Sequence, residues 1–103
     1  MASAKEYLTF ILDQLSGLEG ISHRPMMGEY LLYCRGTLIG GIYDDRLLLK
    51  PTRAAADLLP RPLLVSPYPG AKEMLLVEKV EDRELLSELI AATADALTKQ
   101  KKG

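Results

Sequence analysis

Residues 26–50 read MMGEYLLYCRGTLIGGIYDDRLLLK, and the fold turns on this stretch. Glu29 to Cys34 alternates and is rich in Tyr and Leu. Arg35-Gly36 then offers a two-residue turn, because glycine supplies the positive φ that a twist-matched hairpin needs. Thr37 to Tyr43 runs back. Asp44-Asp45 turns the chain again, since a short carboxylate bonds nearby backbone and tolerates a left-handed conformation. Arg46 to Lys50 forms the next strand, and Pro51 ends it by removing a ladder donor.

With two residues in each turn, Tyr33 pairs with Leu38 and Ile42 with Leu47. Alternation across the pleat then sorts the side chains. One face carries Leu31, Tyr33, Leu38, Gly40, Ile42, Leu47 and Leu49, and is expected beneath helices. The other carries Tyr30, Leu32, Cys34, Thr37, Ile39, Gly41, Tyr43, Arg46, Leu48 and Lys50. That mixture of large apolar groups with two cations is unlike a fully solvated surface, so part of it is expected to be covered. A one-residue error in either turn would transfer a whole strand from one face to the other.

Outside this stretch the signals are helical at both ends. Ser3-Ala4-Lys5-Glu6 is a capping box, and Leu8, Ile11, Leu12 and Leu15 follow at helical spacing. This predicts a helix over residues 3–16, stopped by a left-handed Gly17. Residues 21–27 read as a strand that Pro25 confines to a sheet edge, and Gly28 permits a sharp turn after it. Thr52 caps a short helix over residues 53–59, closed by Pro60. Residues 61–71 hold Pro62, Pro67, Pro69 and Gly70 and must be mostly loop, with Leu63-Leu64-Val65 pairing briefly at an edge. Residues 73–78 form the last strand. Glu81 or Asp82 caps a final helix whose stripe is Leu86, Leu89, Ile90, Thr93 and Leu97. Residues 99–103 are expected as a disordered basic tail.

The fold class is therefore α+β: a two-layer arrangement of helix, strands, short helix, strands and helix, with a largely antiparallel sheet. The 103 residues are expected to form one domain. A net charge of −1 provides no global field toward nucleic acid or anionic lipid. One cysteine excludes an internal disulfide and fits a reducing compartment. No run approaches the roughly 20 apolar residues of a membrane helix, and the N-terminus lacks a signal-peptide pattern. A cytoplasmic, membrane-free protein of bacterial type is expected.

Met26-Met27-Gly28-Glu29-Tyr30, Tyr33, Gly36, Gly40-Gly41, the run from Tyr43 to Pro51 and Gly70-Ala71-Lys72-Glu73-Met74 together resemble the N-terminal domain of the TfoX (Sxy) family. The resemblance covers nearly the whole chain. It implies a fold similar to that of secretion chaperones, often self-associating. It also implies kinship with regulators of competence, which act in transcription with the cyclic-AMP receptor protein. Full-length members carry a second, helical C-terminal domain, for which 103 residues leave no room, so a stand-alone short member is expected. The resemblance carries fold and a non-enzymatic role, with no functional residue transferred.

Residues that bear chemistry are few. His23 and Cys34 lie on different strands without a third orienting group, so neither a catalytic pair nor a zinc site is expected. A reactive Cys34 would need a nearby cation, with Arg35 or Arg46 as sources. Asp44-Asp45 is explained by turn formation, and the glycines match no phosphate loop. Gly40-Gly41 marks a bulge or a close approach. Lys99, Lys101 and Lys102 read as a solvated end. Tyr30, Tyr43, Arg46 and Lys50 are too small a basic–aromatic patch for nucleic acid, so direct nucleic-acid binding is not expected. No cofactor or metal is expected. The expectation is a non-enzymatic regulatory or protein-interaction domain, its partner another protein or a second copy, making a homodimer. The interface would carry Tyr30, Leu32, Ile39, Tyr43, Arg46 and Leu48. The alternative is a small-molecule-binding protein or small enzyme with a pocket near Cys34, His23 or the proline-rich loop.

Overall fold

The computed structural model describes the backbone of residues 5–102 and the side chains of residues 5–99. Its elements run α1 (Lys5–Gln14), β1 (Ile21–Met26), β2 (Glu29–Cys34), β3 (Thr37–Tyr43), β4 (Arg46–Leu49), α2 (Arg53–Ala56), β5 (Leu64–Val65), β6 (Met74–Val77) and α3 (Arg83–Lys102). The strands form one six-stranded sheet in the order β1-β2-β3-β4-β6-β5. Every neighbouring pair is antiparallel. Leu8, Ile11 and Leu15 near α1, Ala55 of α2, and Leu86, Leu89, Ile90 and Ala94 of α3 join sheet residues in one core. This is the α+β architecture that the chain pattern predicts.

Three two-residue reversals build β1 to β4. Met27 and Gly28 have φ of 51° and 85°, Arg35 and Gly36 of 52° and 81°, and Asp44 and Asp45 of 54° and 55°. Positive φ at both central positions is the geometry whose twist matches the flanking strands. Met27 is the costly choice: it is 96% exposed and packs on little, yet holds a left-handed conformation. Met27→Asn is therefore expected to stabilise the protein by about 0.5–1 kcal/mol, because asparagine tolerates that backbone better. A urea-denaturation midpoint that fails to rise would refute this.

The pairs Tyr33–Leu38 and Ile42–Leu47 stand as the turns predict. Between them the register slips. Tyr33 opposes Leu38 but Leu32 opposes Gly40, so Ile39 is an extra residue in β3. This is a bulge, one of the two roles the glycine pair signalled. Its consequence is a correction to the face assignment. Ile42 now pairs with Tyr30 instead of Glu29, which turns β2 over relative to β4. Leu32, Cys34 and Ile39 enter the core together with Ile42, Leu47 and Leu49, and Tyr30 packs against it. Leu31, Tyr33 and Leu38, expected beneath helices, lie instead on the uncovered face.

The bulge also brings two backbones together. A Cβ placed on Gly40 would lie 2.2 Å from the Leu48 carbonyl oxygen and 2.8 Å from the Leu49 Cα. The amide of Lys50 donates to the carbonyl of Ile39 at 2.8 Å, closing the register just beyond β4.

The helices follow their signals with small differences. The capping box at Ser3 lies outside the described residues. α1 ends at Gln14 and unwinds through three-residue turns, Asp13 to Ser16 and Leu15 to Leu18. The left-handed glycine after it is Gly20, not Gly17. Thr52 caps α2 by accepting from the Ala55 amide at 3.2 Å. Asp82 caps α3 by accepting from the Leu85 amide at 3.1 Å. Leu86, Leu89, Ile90 and Thr93 of the α3 stripe are buried as predicted and Leu97 is half-buried, and the Thr93 hydroxyl donates to the Leu89 carbonyl at 2.8 Å. α3 continues to Lys102, through residues that the sequence reading assigned to a disordered tail. Lysine and glutamine favour helix, and cations at a helix C-terminus complement its dipole.

Candidate functional site

Helices cover one side of the sheet, so the candidate site is the other side and the segment folded over it. Alternation in the observed register places Arg24, Leu31, Tyr33, Leu38, Tyr43, Arg46 and Leu48 on this side. At the β1–β2 end the face is open. The Arg24 guanidinium sits 5.8 Å from the centre of the Tyr33 ring, within cation–π range. Leu31, Tyr33 and Leu38 are half-buried.

At the β4 end the proline-rich segment folds across. Arg46 donates from Nε to the Tyr43 carbonyl at 3.2 Å and from a terminal guanidinium nitrogen to the Pro67 carbonyl at 3.3 Å. The rings of Tyr43 and Tyr68 lie 6.5 Å apart. Ser66 ties the segment to itself through the Ala71 carbonyl at 3.2 Å. The chain thus covers part of its own mixed face, as its composition required. Of the six residues expected at an interface, Leu32 and Ile39 are 0% exposed in the core and Tyr30 packs beside them, because the bulge at Ile39 turns over both β2 and the start of β3. Tyr43, Arg46 and Leu48 are on the expected side, but Leu48 is fully buried and Arg46 is engaged by the loop. The residues that the sequence reading missed are Leu31, Tyr33 and Leu38. The signal that could have found them is the glycine pair in β3.

Burial raises the Tyr43 phenol above its ordinary value, with Tyr68 and the Glu29 carboxylate adding to the effect. Burial and the charge of Asp45 do the same for Tyr7, which a backbone hydrogen bond at Leu47 partly offsets. A raised folded-state pKa means that the fold favours the neutral phenol. Its stabilising contribution is complete below the ordinary tyrosine value, about 10, and is lost as pH rises through the raised value. Tyr7 and Tyr43 are expected to ionise above the ordinary tyrosine value in an ultraviolet titration. Replacing both with Phe is expected to flatten the alkaline loss of stability, and an unchanged profile would contradict it.

The chemistry-bearing residues do not assemble. Cys34 is buried in the core and His23 is exposed on β1. The His23 ring meets Tyr30 edge-on at 6.4 Å. The cations named beside Cys34 are occupied: Arg35 pairs with Asp95 of α3 at 3.3 Å and Arg46 with two carbonyls. The Asp44 amide donates to both oxygens of the Glu29 carboxylate, at 3.2 and 3.1 Å, which fastens the turn. Among the described residues, no three His, Cys, Asp or Glu side chains converge as metal ligands. No helix among them is long and apolar enough to cross a membrane.

The sheet edges are guarded. Met26 and Glu29 flank a two-residue turn and form a hydrogen-bonded pair, so alternation leaves Pro25 facing outward from the edge. Proline there removes an outward donor. The opposite edge, β5, has two residues, set between Pro62 and Pro67.

A self-paired antiparallel sheet with helices on one side, guarded edges and an uncovered aromatic–aliphatic face defines a small α+β domain. The chain belongs to the TfoX N-terminal domain family, whose pattern matches residues 13–97. It is also similar to an uncharacterised 12.7 kDa protein from the trpE 5′ region of Spirochaeta aurantia. The two are 36% identical over 98 residues, which span 94% of this chain and 85% of that protein. No solved structure matches.

Proposed function

We propose that this domain is a non-enzymatic, cytoplasmic regulatory module that works by binding protein, and that it pairs first with a second copy of itself. The observation that carries the reading is the open part of the sheet face, where Leu31, Tyr33 and Leu38 remain half-buried beside Arg24. Tyr and Arg are the side chains that most often anchor interfaces. Guarded edges direct association to the face rather than to strand addition. A net charge of −1 leaves little repulsion between copies. Family membership supports the regulatory part, and a role beside transcription regulators is the extension that the resemblance implies. The surface is therefore Arg24, Leu31, Tyr33 and Leu38, adjoining Tyr43 and Arg46.

Light scattering tests it. The wild-type mass is expected to rise toward twice 11.4 kDa with concentration. Tyr33→Glu is expected to hold the mass at the monomer value with an unchanged circular dichroism spectrum. A wild type that remains monomeric at millimolar concentration would overturn self-pairing.

A further inference from the structure

A cleft of about 550 Å³ opens where β4 stops short of β3. β4 pairs with β3 only from Gly40 to Tyr43, so Thr37 and Leu38 have no β4 residue opposite them. The chain departs there through Lys50 and Pro51, and the segment from Pro67 to Met74 returns along the other side. The gap follows from strand length, and the Arg46 bond to the Pro67 carbonyl fastens the start of the returning segment to β4. Its volume falls in the usual range for small-molecule sites, about 300–1,000 Å³.

The lining combines two chemistries. Leu38, Met74 and Leu97 supply aliphatic surface, and Tyr43 and Tyr68 supply rings tilted at 55° to each other. Tyr43 is buried while Tyr68 is 55% exposed, so one ring forms the wall and the other an outer flap. Lys50 and Lys72 face the cleft against a single carboxylate, Glu73. Neither ammonium group makes an ion pair among the described residues. Two cations against one anion leave a single positive charge at an apolar, ring-lined cleft. That balance suits a monoanion. A dianion would exceed that single positive charge, and Arg46, whose planar fork would suit a phosphate, is committed to carbonyls.

We propose that this cleft binds a small aromatic carboxylate, its ring system between Tyr68 and the Leu38–Met74 wall and its carboxylate between Lys50 and Lys72. The cleft borders the pairing surface, sharing Leu38 with it and meeting it at Tyr43, but Lys50, Tyr68 and Lys72 lie outside that surface, so binding of the probe and self-association are read out separately. It is also distinct from the Cys34 and His23 region, where the cysteine is buried.

The probe is 1-naphthoate, compared with the neutral 1-naphthalenemethanol, in titrations of the full chain followed by amide chemical shifts. Naphthoate is expected to saturate one site, with the largest shifts at Lys50, Tyr68 and Lys72, and to raise the melting temperature with concentration. The alcohol is expected to bind at least tenfold more weakly, which is about 1.4 kcal/mol. Lys50→Ala with Lys72→Ala is expected to remove that preference while leaving the alcohol's affinity unchanged. Should the pair lower the melting temperature of the free protein, Lys72→Ala alone, at an exposed position, is expected to reduce naphthoate affinity severalfold. Equal affinity for the two probes, unsaturable shifts spread over the surface, or lysine variants that bind naphthoate like the wild type would each overturn the proposal.

Discussion

Gly40→Ala is expected to destabilise the protein by roughly 3–5 kcal/mol, enough to leave a marginal domain largely unfolded. The new methyl group would meet the Leu48 carbonyl oxygen at 2.2 Å and the Leu49 Cα at 2.8 Å. Both atoms are backbone and cannot swing aside as the end of a side chain would. Relief requires β3 and β4 to separate, and Leu47 and Leu49 would lose their packing with them. Gly17→Ala is the control: no atom lies within 4 Å of its added carbon, and its φ is not positive. A change within about 0.5 kcal/mol is expected there. Urea denaturation of both variants decides the matter. A Gly40→Ala protein as stable as the wild type would show that the strands do not approach as closely as described.

Leu32→Ala is expected to cost about 2–5 kcal/mol, whereas Leu31→Ala, one residue away, is expected to cost less than about 1. Leu32 is fully buried in the core, and truncation there leaves a cavity lined by other buried leucines and isoleucines. Leu31 is half-buried on the face without helices. The comparison reads the bulge directly, because an unbulged register would exchange the two costs. Equal costs, or the reverse order, would return β2 to the orientation that its turns alone predict.

Most of the fold was legible in the sequence because its signals are local. Each two-residue reversal announces itself in its own residues, and the α3 stripe is written at helical spacing. The pairing of Leu64-Val65 at an edge was legible for the same reason, from a short apolar run between prolines. The face of β2 was not legible from alternation, because one extra residue in β3 inverts it and alternation has no means of counting that residue. Gly40-Gly41 was the available sign, and it reads equally well as a close approach or as a bulge. Both occur here. Of the expected interface set, Tyr30, Leu32 and Ile39 change face with that single inserted residue, while Tyr43, Arg46 and Leu48 lie beyond its reach. The engagement of Arg46 by the Pro67 carbonyl was hidden for another reason: it joins residues far apart in the chain, and no local pattern encodes where a proline-rich loop comes to rest.

The three tight reversals also bear on how the molecule reaches its native state. The three pairings within β1 to β4 join sequence neighbours, so each closes a very short loop at small entropic cost and can form early. β6 must travel back past α2 and β5 to pair with β4. A ribosome would therefore release a four-stranded ribbon whose apolar side only α1 can begin to cover, and α3, emerging after every strand of the sheet, would be the element that completes the seal.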